Sequence, residues 1–517
     1  MANQFFARKP LEMLLEEMKG ENRLKRVLGP VQLSALGIGA IIGAGIFVAT
    51  GEAAHNIAGP ALMMSYVVAG ITCIFAALCY AEFASMVPVA GSAYTYAYAT
   101  LGELFAWIIG WDLVLEYAVG SATVANGWSG YFQSVLAKVG VSFPKILQSA
   151  PIVYNTTTGK FDWTGSFVNM PAIIIVTIVT VILVKGISES ASFNATMVGV
   201  KLAAVLFVIF VGAFYVNPAN WHPFAPYGWT GLSVFGHHVS GQADPSGAPL
   251  GMLAGAAIIF FAYIGFDSVS THTEEARNPQ RDVPIGIIAS LLVCTVLYIA
   301  VVAVLTGMVK YNLIDTAAGV SDAFKQKGLG IAEVIIAIAG VAGITSVLLV
   351  MMLSGPRVFL AMARDGLVPK GFFGDVHPKF RTPWRSTILI GVFVCVLTGF
   401  LPLGFLLHLT NIGTLFAFVI VCAAVLIMRK KYPNAERPFR CPWVPVVPIL
   451  GIFSCLMLMF SLPGDNWLRL FVWLAIGLVI YFLYGRHHSV MKHHLEHQIA
   501  KHGISPGGMI ATHPEDE

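Results

Sequence analysis

Long apolar runs, separated by short polar or glycine- and proline-rich connections, dominate the chain. One helical crossing of a lipid bilayer needs roughly 20 apolar residues. By this measure the sequence predicts an all-α integral membrane protein with about twelve membrane-spanning helices. The runs are continuous and do not alternate in polarity, which favours helices over a membrane β-barrel. The predicted spans, numbered one to twelve, are 31–51, 59–86, 101–137, 168–186, 192–216, 251–275, 284–309, 331–362, 386–401, 404–429, 445–463 and 467–485.

Two places in this layout are unusual. The span at 101–137 carries Asp112 and Glu116 in its interior, where a lipid-facing helix would be apolar. The spans at 386–401 and 404–429 are separated by Pro402 and Leu403 alone, so they require a tight hairpin.

Composition supports the membrane interpretation and excludes several function classes. The 517 residues are 57% hydrophobic and 11% charged, whereas soluble domains carry roughly 25% charged residues. The net charge of +4 is too small to indicate nucleic-acid binding. The seven cysteines are scattered without metal-binding spacing, so neither a metal nor a cofactor is predicted. Without a Walker loop or a hydrolase motif, we expect neither an ATP-driven pump nor an enzyme.

Lysine and arginine are distributed asymmetrically between the predicted loops. With the N-terminus inside, 23 of them lie in cytoplasmic segments and 7 in outer loops, as expected if positive charge stays inside. We therefore expect both termini in the cytoplasm and a multi-pass location in the cell membrane, either a bacterial inner membrane or a plasma membrane. The predicted parts are a cytoplasmic segment at 1–30, a ten-helix core at 31–430, two additional helices at 431–485 and a cytoplasmic tail at 486–517.

The first predicted span contains four glycines between Gly37 and Gly45. Two interpretations of them are open. The glycines could serve close packing between helices. Alternatively, the helix breaks near Gly43–Gly45, and the second half-helix points its free N–H groups and positive dipole end at an anion such as a carboxylate.

The sixth span, at 251–275, has a matching feature, because its aromatic run from Phe260 meets Gly265 and then Asp267. A break here would free carbonyl groups, which attract an ammonium group. Two such breaks together suit a zwitterion with an α-carboxylate and an α-ammonium. Spans one and six also hold matching places in two sets of five helices, as expected of an inverted-repeat transporter.

Ionisable residues inside spans are costly and are candidates for function. Lys201 lies within span five and could carry a coupling proton, although snorkelling or a buried structural pair would also explain it. Glu116 could meet a cationic substrate side chain, pair with a buried base, or make only interior hydrogen bonds. Glu82 is expected at the membrane interface.

Two charged turns, Glu274–Arg281 and Arg357–Gly366, are candidates for inner-gate salt bridges or for solvated loop charge. These two segments, together with Gly37–Val48 and Phe260–Asp267, resemble the amino acid–polyamine–organocation (APC) superfamily. Within it they are most similar to the cationic amino acid transporter family and its bacterial members. The resemblance extends over roughly residues 25 to 485, with the motifs in the same order.

This resemblance implies a five-plus-five inverted repeat of the LeuT type with two extra C-terminal helices. It also implies roles for individual residues. The substrate carboxylate would bind around Ile41, Gly43, Ala44 and Gly45. The substrate amine would bind at Phe261, Ala262 and Ile264. Lys201 would couple transport to protons, and Glu116 would lie near the substrate side chain. Several bacterial members carry a hydroxyl residue where this chain has Ala44, so that contact is missing.

The function expected from the sequence is secondary active transport of L-amino acids, as proton symport by alternating access. An amino-acid exchanger in the same fold, a channel and a non-transporting nutrient sensor are the alternatives. Expected partners are the amino acid, the lipid bilayer and a small single-helix subunit, or a sterol or other lipid, but no nucleic acid. Small neutral and cationic substrates both stay open.

Overall fold

The structure is a computed structural model that describes residues 5–9, 28–86, 92–155, 160–185, 190–235, 237–245, 247–271, 273, 276–316, 318–380 and 382–493. Most of the predicted 1–30 segment, the end of the 486–517 tail, and Glu274 and Glu275 of the first charged turn lie outside the described residues. Within the described part, long helices dominate.

The helices of the first part of the chain follow the predicted apolar runs closely. They are α1 (Pro30–Ile41), α2 (Thr50–Ala53, between π-helical turns Gly45–Ala49 and Ala54–Ala58), α3 (Leu62–Met86), α4 (Ser92–Thr100), α5 (Glu103–Lys138), α6 (Met170–Lys185), α7 (Ser190–Ala213), α8 (Met252–Ile259) and α9 (Ser268–Thr271). A 3₁₀ turn, Phe260–Tyr263, continues α8.

The helices of the second part are equally close to expectation. They are α10 (Pro279–Met308), α11 (Gly319–Gln326), α12 (Gly330–Arg364), α13 (Lys370–Phe373), α14 (Trp384–Phe400), α15 (Leu403–Lys431), α16 (Val446–Met459), α17 (Gly464–Ile480) and α18 (Arg486–His488). The tight hairpin required at Pro402 is present, since α14 ends at Phe400 and α15 begins at Leu403.

Among the described residues, eight helical segments are long and apolar enough to cross a membrane. The first of them, Pro30–Met86, has 57 residues, more than twice the roughly 20 that one crossing needs. Three shorter apolar helices, α6, α14 and α16, add to these. In the packed bundle α5 lies along α12 and α15, and α10 lies along α3 and α1.

The all-α expectation was incomplete, because the described residues also contain three small antiparallel hairpins, two of them within 217–250. Ser233 donates hydrogen bonds to Phe460 O (2.8 Å) and Leu462 O (3.0 Å), which anchor this segment on the end of α16. The paired strands are β1 (Ile152–Asn155) with β2 (Lys160–Trp163), β3 (Leu232–Val234) with β4 (His237–Ser240), and β5 (Gln242–Ala243) with β6 (Pro249–Leu250).

Glu82, near the end of α3, is the centre of a buried ionic cluster, while its place at the membrane interface stays a prediction. Its carboxylate accepts two hydrogen bonds from Arg429, both 2.8 Å long. The Arg437 guanidinium lies 3.2 Å away, and the Cys441 N–H donates at 2.7 Å. The cluster therefore joins the ends of α3 and α15 to the segment before α16.

We expect Glu82→Ala to destabilise the protein by about 3 kcal/mol, because breaking a buried ion pair leaves uncompensated charge. The measurement is the thermal unfolding of the detergent-solubilised protein. A matched control is Asp375→Ala, since Asp375 pairs with Arg385 at 3.0 Å on a partly exposed surface, where an ion pair contributes about 0–1 kcal/mol. Equal shifts for the two variants would contradict the structural role given to Glu82.

The second charged turn contains a buried salt bridge, whose role as an inner gate stays a prediction. Asp365 forms a buried ion pair with Lys9, 2.8 Å long, and accepts a hydrogen bond from the Tyr94 hydroxyl at 2.6 Å. The partner is thus a residue of the N-terminal segment, which the sequence pattern did not suggest.

Candidate functional site

The first predicted span is broken where the glycines occur. α1 ends at Ile41, and Ile42 has an extended backbone with φ −72° and ψ 107°. The chain returns to helical geometry at Ala44 and continues as a π-helical turn, a feature frequent at functional sites. The N–H groups of this new first turn have no acceptor within the helix. Gly43 also packs closely against a neighbouring helix, because a Cβ atom at this position would overlap the Val347 side chain.

The sixth predicted span is broken at Gly265. Ile264 turns the chain with ψ 132° after the 3₁₀ turn. Gly265 then has φ +121°, a conformation that residues with a side chain rarely adopt. A Cβ atom there would also lie 2.9 Å from Ala40 O, at the end of α1. Both reasons require glycine at this position.

The two breaks lie against each other. A Cβ atom at Gly45 would overlap the backbone and side chain of Ala262, so the two main chains are in direct contact. The Tyr298 hydroxyl, on α10, lies 2.8 Å from Ile41 O and 3.1 Å from Ala262 O. The structure therefore brings together the residues that the sequence placed in two separate half-sites.

The two broken segments present helix ends of opposite partial charge. The helix that resumes near Ala44 presents its N-terminal, positive dipole end, and the turn that ends at Tyr263 presents its C-terminal carbonyl groups. One predicted acceptor, Phe261 O, already receives the Ile264 N–H at 3.2 Å. A carbonyl oxygen has a second lone pair, so it can still accept from a ligand.

Lys201 is fully buried and contacts the end of α1. Its Nζ donates a hydrogen bond of 2.6 Å to Gly39 O. This geometry rules out snorkelling to an interface and places the amine two residues before Ile41. The lysine thus acts on the same final turn of α1 that leads into the break, while its role in proton coupling stays a prediction.

Glu116 and Asp112 are buried on α5, only 3% and 1% exposed. In the part of the chain that the structure describes, none of their four carboxylate oxygens has a hydrogen-bond partner. The carboxyl groups of Asp267 and Asp112 are neighbours of Glu116, with Thr414 beside it. Among the described residues Glu116 is not paired with a base, and its contact with a substrate side chain stays a prediction.

Asp267 connects this acidic cluster to the break in the sixth span. Its carboxylate accepts hydrogen bonds from the Gly265 N–H (3.2 Å) and from the Tyr117 hydroxyl (2.8 Å). Glu116 is thus a neighbour of the carboxylate that follows the break. Among the residues described, no group of three or more His, Cys, Asp or Glu side chains is placed to hold a metal ion.

Several polar residues that support the breaks were missed by sequence reasoning. Asn411 donates to Ala257 O (2.9 Å) and Ile258 O (2.8 Å), near the end of α8. Thr50 bonds to Gly45 O at 3.2 Å and to the Tyr66 hydroxyl at 2.7 Å. Tyr298 was missed in the same way. Single tyrosine, threonine and asparagine residues in apolar runs carry no signal that distinguishes them from packing residues.

Comparison with known proteins shows the family of the chain. Residues 28–486 match the amino acid permease family. The chain is 47% identical to the branched-chain amino acid permease BcaP of Bacillus subtilis, over 95% of this chain and 100% of that protein. The protein belongs to the amino acid permease family. The predicted membership of the APC superfamily is thereby confirmed.

Other relatives of the permease carry different substrate names. It is 45% identical to the methylthioribose transporter of Bacillus subtilis, over 95% of this chain and 100% of the relative. It is 30% identical to the vacuolar cationic amino acid transporter 4 of Arabidopsis thaliana, over 95% and 97%. These relatives are transporters and not enzymes. The permease is accordingly a multi-pass membrane transporter.

Proposed function

We propose that the permease is a proton-coupled symporter of L-amino acids, neutral ones foremost, that works by alternating access. The observation that carries the proposal is the contact between the two broken helices at Gly45 and Ala262. N–H groups of a helix N-terminus and carbonyl groups that keep a second lone pair meet there, and an α-amino acid has a carboxylate and an ammonium group to match them.

The substrate carboxylate binds the N–H groups around Ile41, Gly43, Ala44 and Gly45. The ammonium group binds the carbonyl groups of Phe261, Ala262 and Ile264. Since a single Cβ does not fit between Gly45 and Ala262, the two segments must separate before a substrate can enter. Opening and closing of this contact toward the two sides of the membrane is the movement that alternating access needs.

Lys201 couples this movement to the proton. A protonated amine holds Gly39 O more strongly than a neutral amine does, because hydrogen bonds from charged donors are about twice as strong. Loss of the proton loosens the end of α1, two residues from Ile41, and so favours opening of the break. Release of the proton is thereby linked to opening of the substrate site.

The finer architecture belongs to the same proposal. Twelve crossings are supported by eight long segments, of which the first is long enough for two crossings, and three shorter helices. A five-plus-five inverted repeat is supported by the matching breaks in the first and sixth spans. The 23-to-7 distribution of lysine and arginine supports cytoplasmic termini.

The proposal is tested by counterflow in liposomes that contain the purified permease. Vesicles loaded with unlabelled isoleucine, alanine, arginine or methylthioribose are placed in a trace of labelled isoleucine. We expect isoleucine and alanine to drive entry of the label. Failure of all the internal amino acids to drive entry of labelled isoleucine, together with counterflow of labelled methylthioribose, would overturn the amino-acid assignment. Binding without any entry of label would indicate a sensor. Unsaturable entry would indicate a channel.

The Glu116 carboxylate is expected to favour cationic side chains. In the Glu116→Gln variant we expect arginine to compete about tenfold less well for labelled isoleucine, the factor that corresponds to about 1.4 kcal/mol. Isoleucine uptake itself should change less than about twofold. The measurement is the arginine concentration that halves isoleucine uptake.

The matched control for this experiment is Glu333→Gln. Glu333 pairs with Lys138 at 2.6 Å, far along α12 from the break, so its variant should leave arginine competition unchanged. If arginine competes equally well against both variants, Glu116 does not contact the substrate side chain.

A further inference from the structure

Tyr298 lies at the contact between the two broken helices, and the proposed transport cycle gives it no role. The side chain is fully buried on α10. Its ring packs against Tyr66 and Tyr263, with ring centres 5.4 Å and 5.6 Å away. These neighbours fix the ring, so the hydroxyl is held in one place, between Ile41 O and Ala262 O.

The hydroxyl has one proton and two acceptors. Both carbonyl groups lie at the ends of helical segments that stop at a break, where the usual donor four residues later is missing. Ala262 O is also one of the acceptors proposed for the substrate ammonium. The Tyr298 hydroxyl and the ammonium are therefore two donors for the same oxygen, and either one pairs it when the other is absent.

The same turn of α1 connects this hydroxyl to Lys201. Lys201 Nζ bonds to Gly39 O at 2.6 Å, and the Tyr298 hydroxyl bonds to Ile41 O at 2.8 Å. Two side chains from different helices thus hold carbonyl groups two residues apart. Tyr298 extends the contact across the break to Ala262.

We propose that Tyr298 is a positioning residue for the return of the carrier without substrate. When no ammonium is bound, its hydroxyl supplies the hydrogen bond to Ala262 O and lets the two broken segments close. When an ammonium is bound, the hydroxyl proton is committed to Ile41 O and the substrate supplies the other bond. This inference rests on the proposed function.

The two modes of transport depend differently on this residue. Net uptake requires the carrier to return without substrate, whereas exchange requires only the loaded carrier to cross in both directions. Removal of the hydroxyl removes the bond to Ile41 O in both states. In the empty, closed carrier it also leaves no donor that joins the two broken segments at Ala262 O, whereas in the loaded carrier the substrate still joins them through its carboxylate and its ammonium group. Tyr298→Phe should therefore slow net uptake and spare exchange.

The test compares both modes in one preparation of liposomes. Net uptake of labelled isoleucine is driven by an inward proton gradient into vesicles without amino acid, and exchange is measured with unlabelled isoleucine inside. For Tyr298→Phe we expect net uptake about tenfold lower and exchange changed less than about twofold, since an unpaired buried carbonyl is costly. Poor folding would lower both modes equally, so the ratio of net uptake to exchange is the readout.

The control is Tyr481→Phe, which removes a buried hydroxyl that bonds to Glu103 at 2.9 Å, away from both breaks. Its ratio should equal that of the wild type. An unchanged ratio in Tyr298→Phe would overturn the inference while leaving amino-acid transport intact. If the wild-type permease moves no amino acid in either mode, the proposed function itself is wrong, and the inference falls with it.

Discussion

Replacement of Lys201 by methionine is expected to abolish proton-driven accumulation of amino acid. The substitution keeps an unbranched side chain of similar length but removes the proton carrier and the 2.6 Å bond to Gly39 O. Substrate should then only equilibrate across the membrane, so the internal concentration stays at the external level with or without a proton gradient. The measurement is isoleucine accumulation in liposomes at a fixed inward gradient.

A matched control separates the buried lysine from lysines in general. Lys327 is exposed in the connection before α12, so Lys327→Met should accumulate isoleucine like the wild type. Exchange by Lys201→Met, measured in the same vesicles, shows whether the variant is folded. If Lys201→Met exchanges and still accumulates to the wild-type level, Lys201 is a structural residue and the coupling mechanism is wrong.

The Gly45→Ala variant is expected to lose transport almost completely. The new Cβ would overlap the main chain of Ala262, which cannot move aside as a flexible side chain would. The two half-helices are forced apart, and a displacement of about 1 Å in a binding site can cost about 100-fold in rate. We expect isoleucine exchange to fall about 100-fold, measured as the initial rate in liposomes.

Gly199→Ala is the matched control for this variant. Gly199 also lies within a spanning helix, but a Cβ atom there meets only open space, and alanine favours a helix over glycine by about 1 kcal/mol. Its exchange rate should equal that of the wild type. If Gly45→Ala exchanges normally, the contact at Ala262 does not form part of the substrate site.

Helix positions could be predicted closely because the thickness of the bilayer fixes the length of an apolar run. The hairpin at Pro402 follows from the same constraint. The breaks could be predicted because glycine at 43, 45 and 265 is unfavourable inside a helix and needs another explanation. The pattern did not show the short helix α4, whose nine residues are too few for a crossing and are rich in buried tyrosine.

The missing part of the site consists of single polar residues that meet only in the folded chain. Tyr298 and Ile41 are 257 positions apart, and Lys9 and Asp365 are 356 apart. The periodicity of apolar and polar residues gives no indication that residues so far apart in sequence are in contact. The substrate could not be predicted either, because the groups proposed to bind its carboxylate and its ammonium are backbone groups. Relatives that are 45% and 47% identical to this chain carry the names of chemically different substrates.

The most direct test of proton-coupled amino-acid symport is the accumulation of labelled isoleucine in liposomes, with and without an inward proton gradient and with no amino acid inside. The proposed mechanism predicts accumulation above the external concentration only with the gradient, and loss of this accumulation when a protonophore is added. Uptake that is independent of the proton gradient and requires amino acid inside the vesicles would contradict symport and show an exchanger.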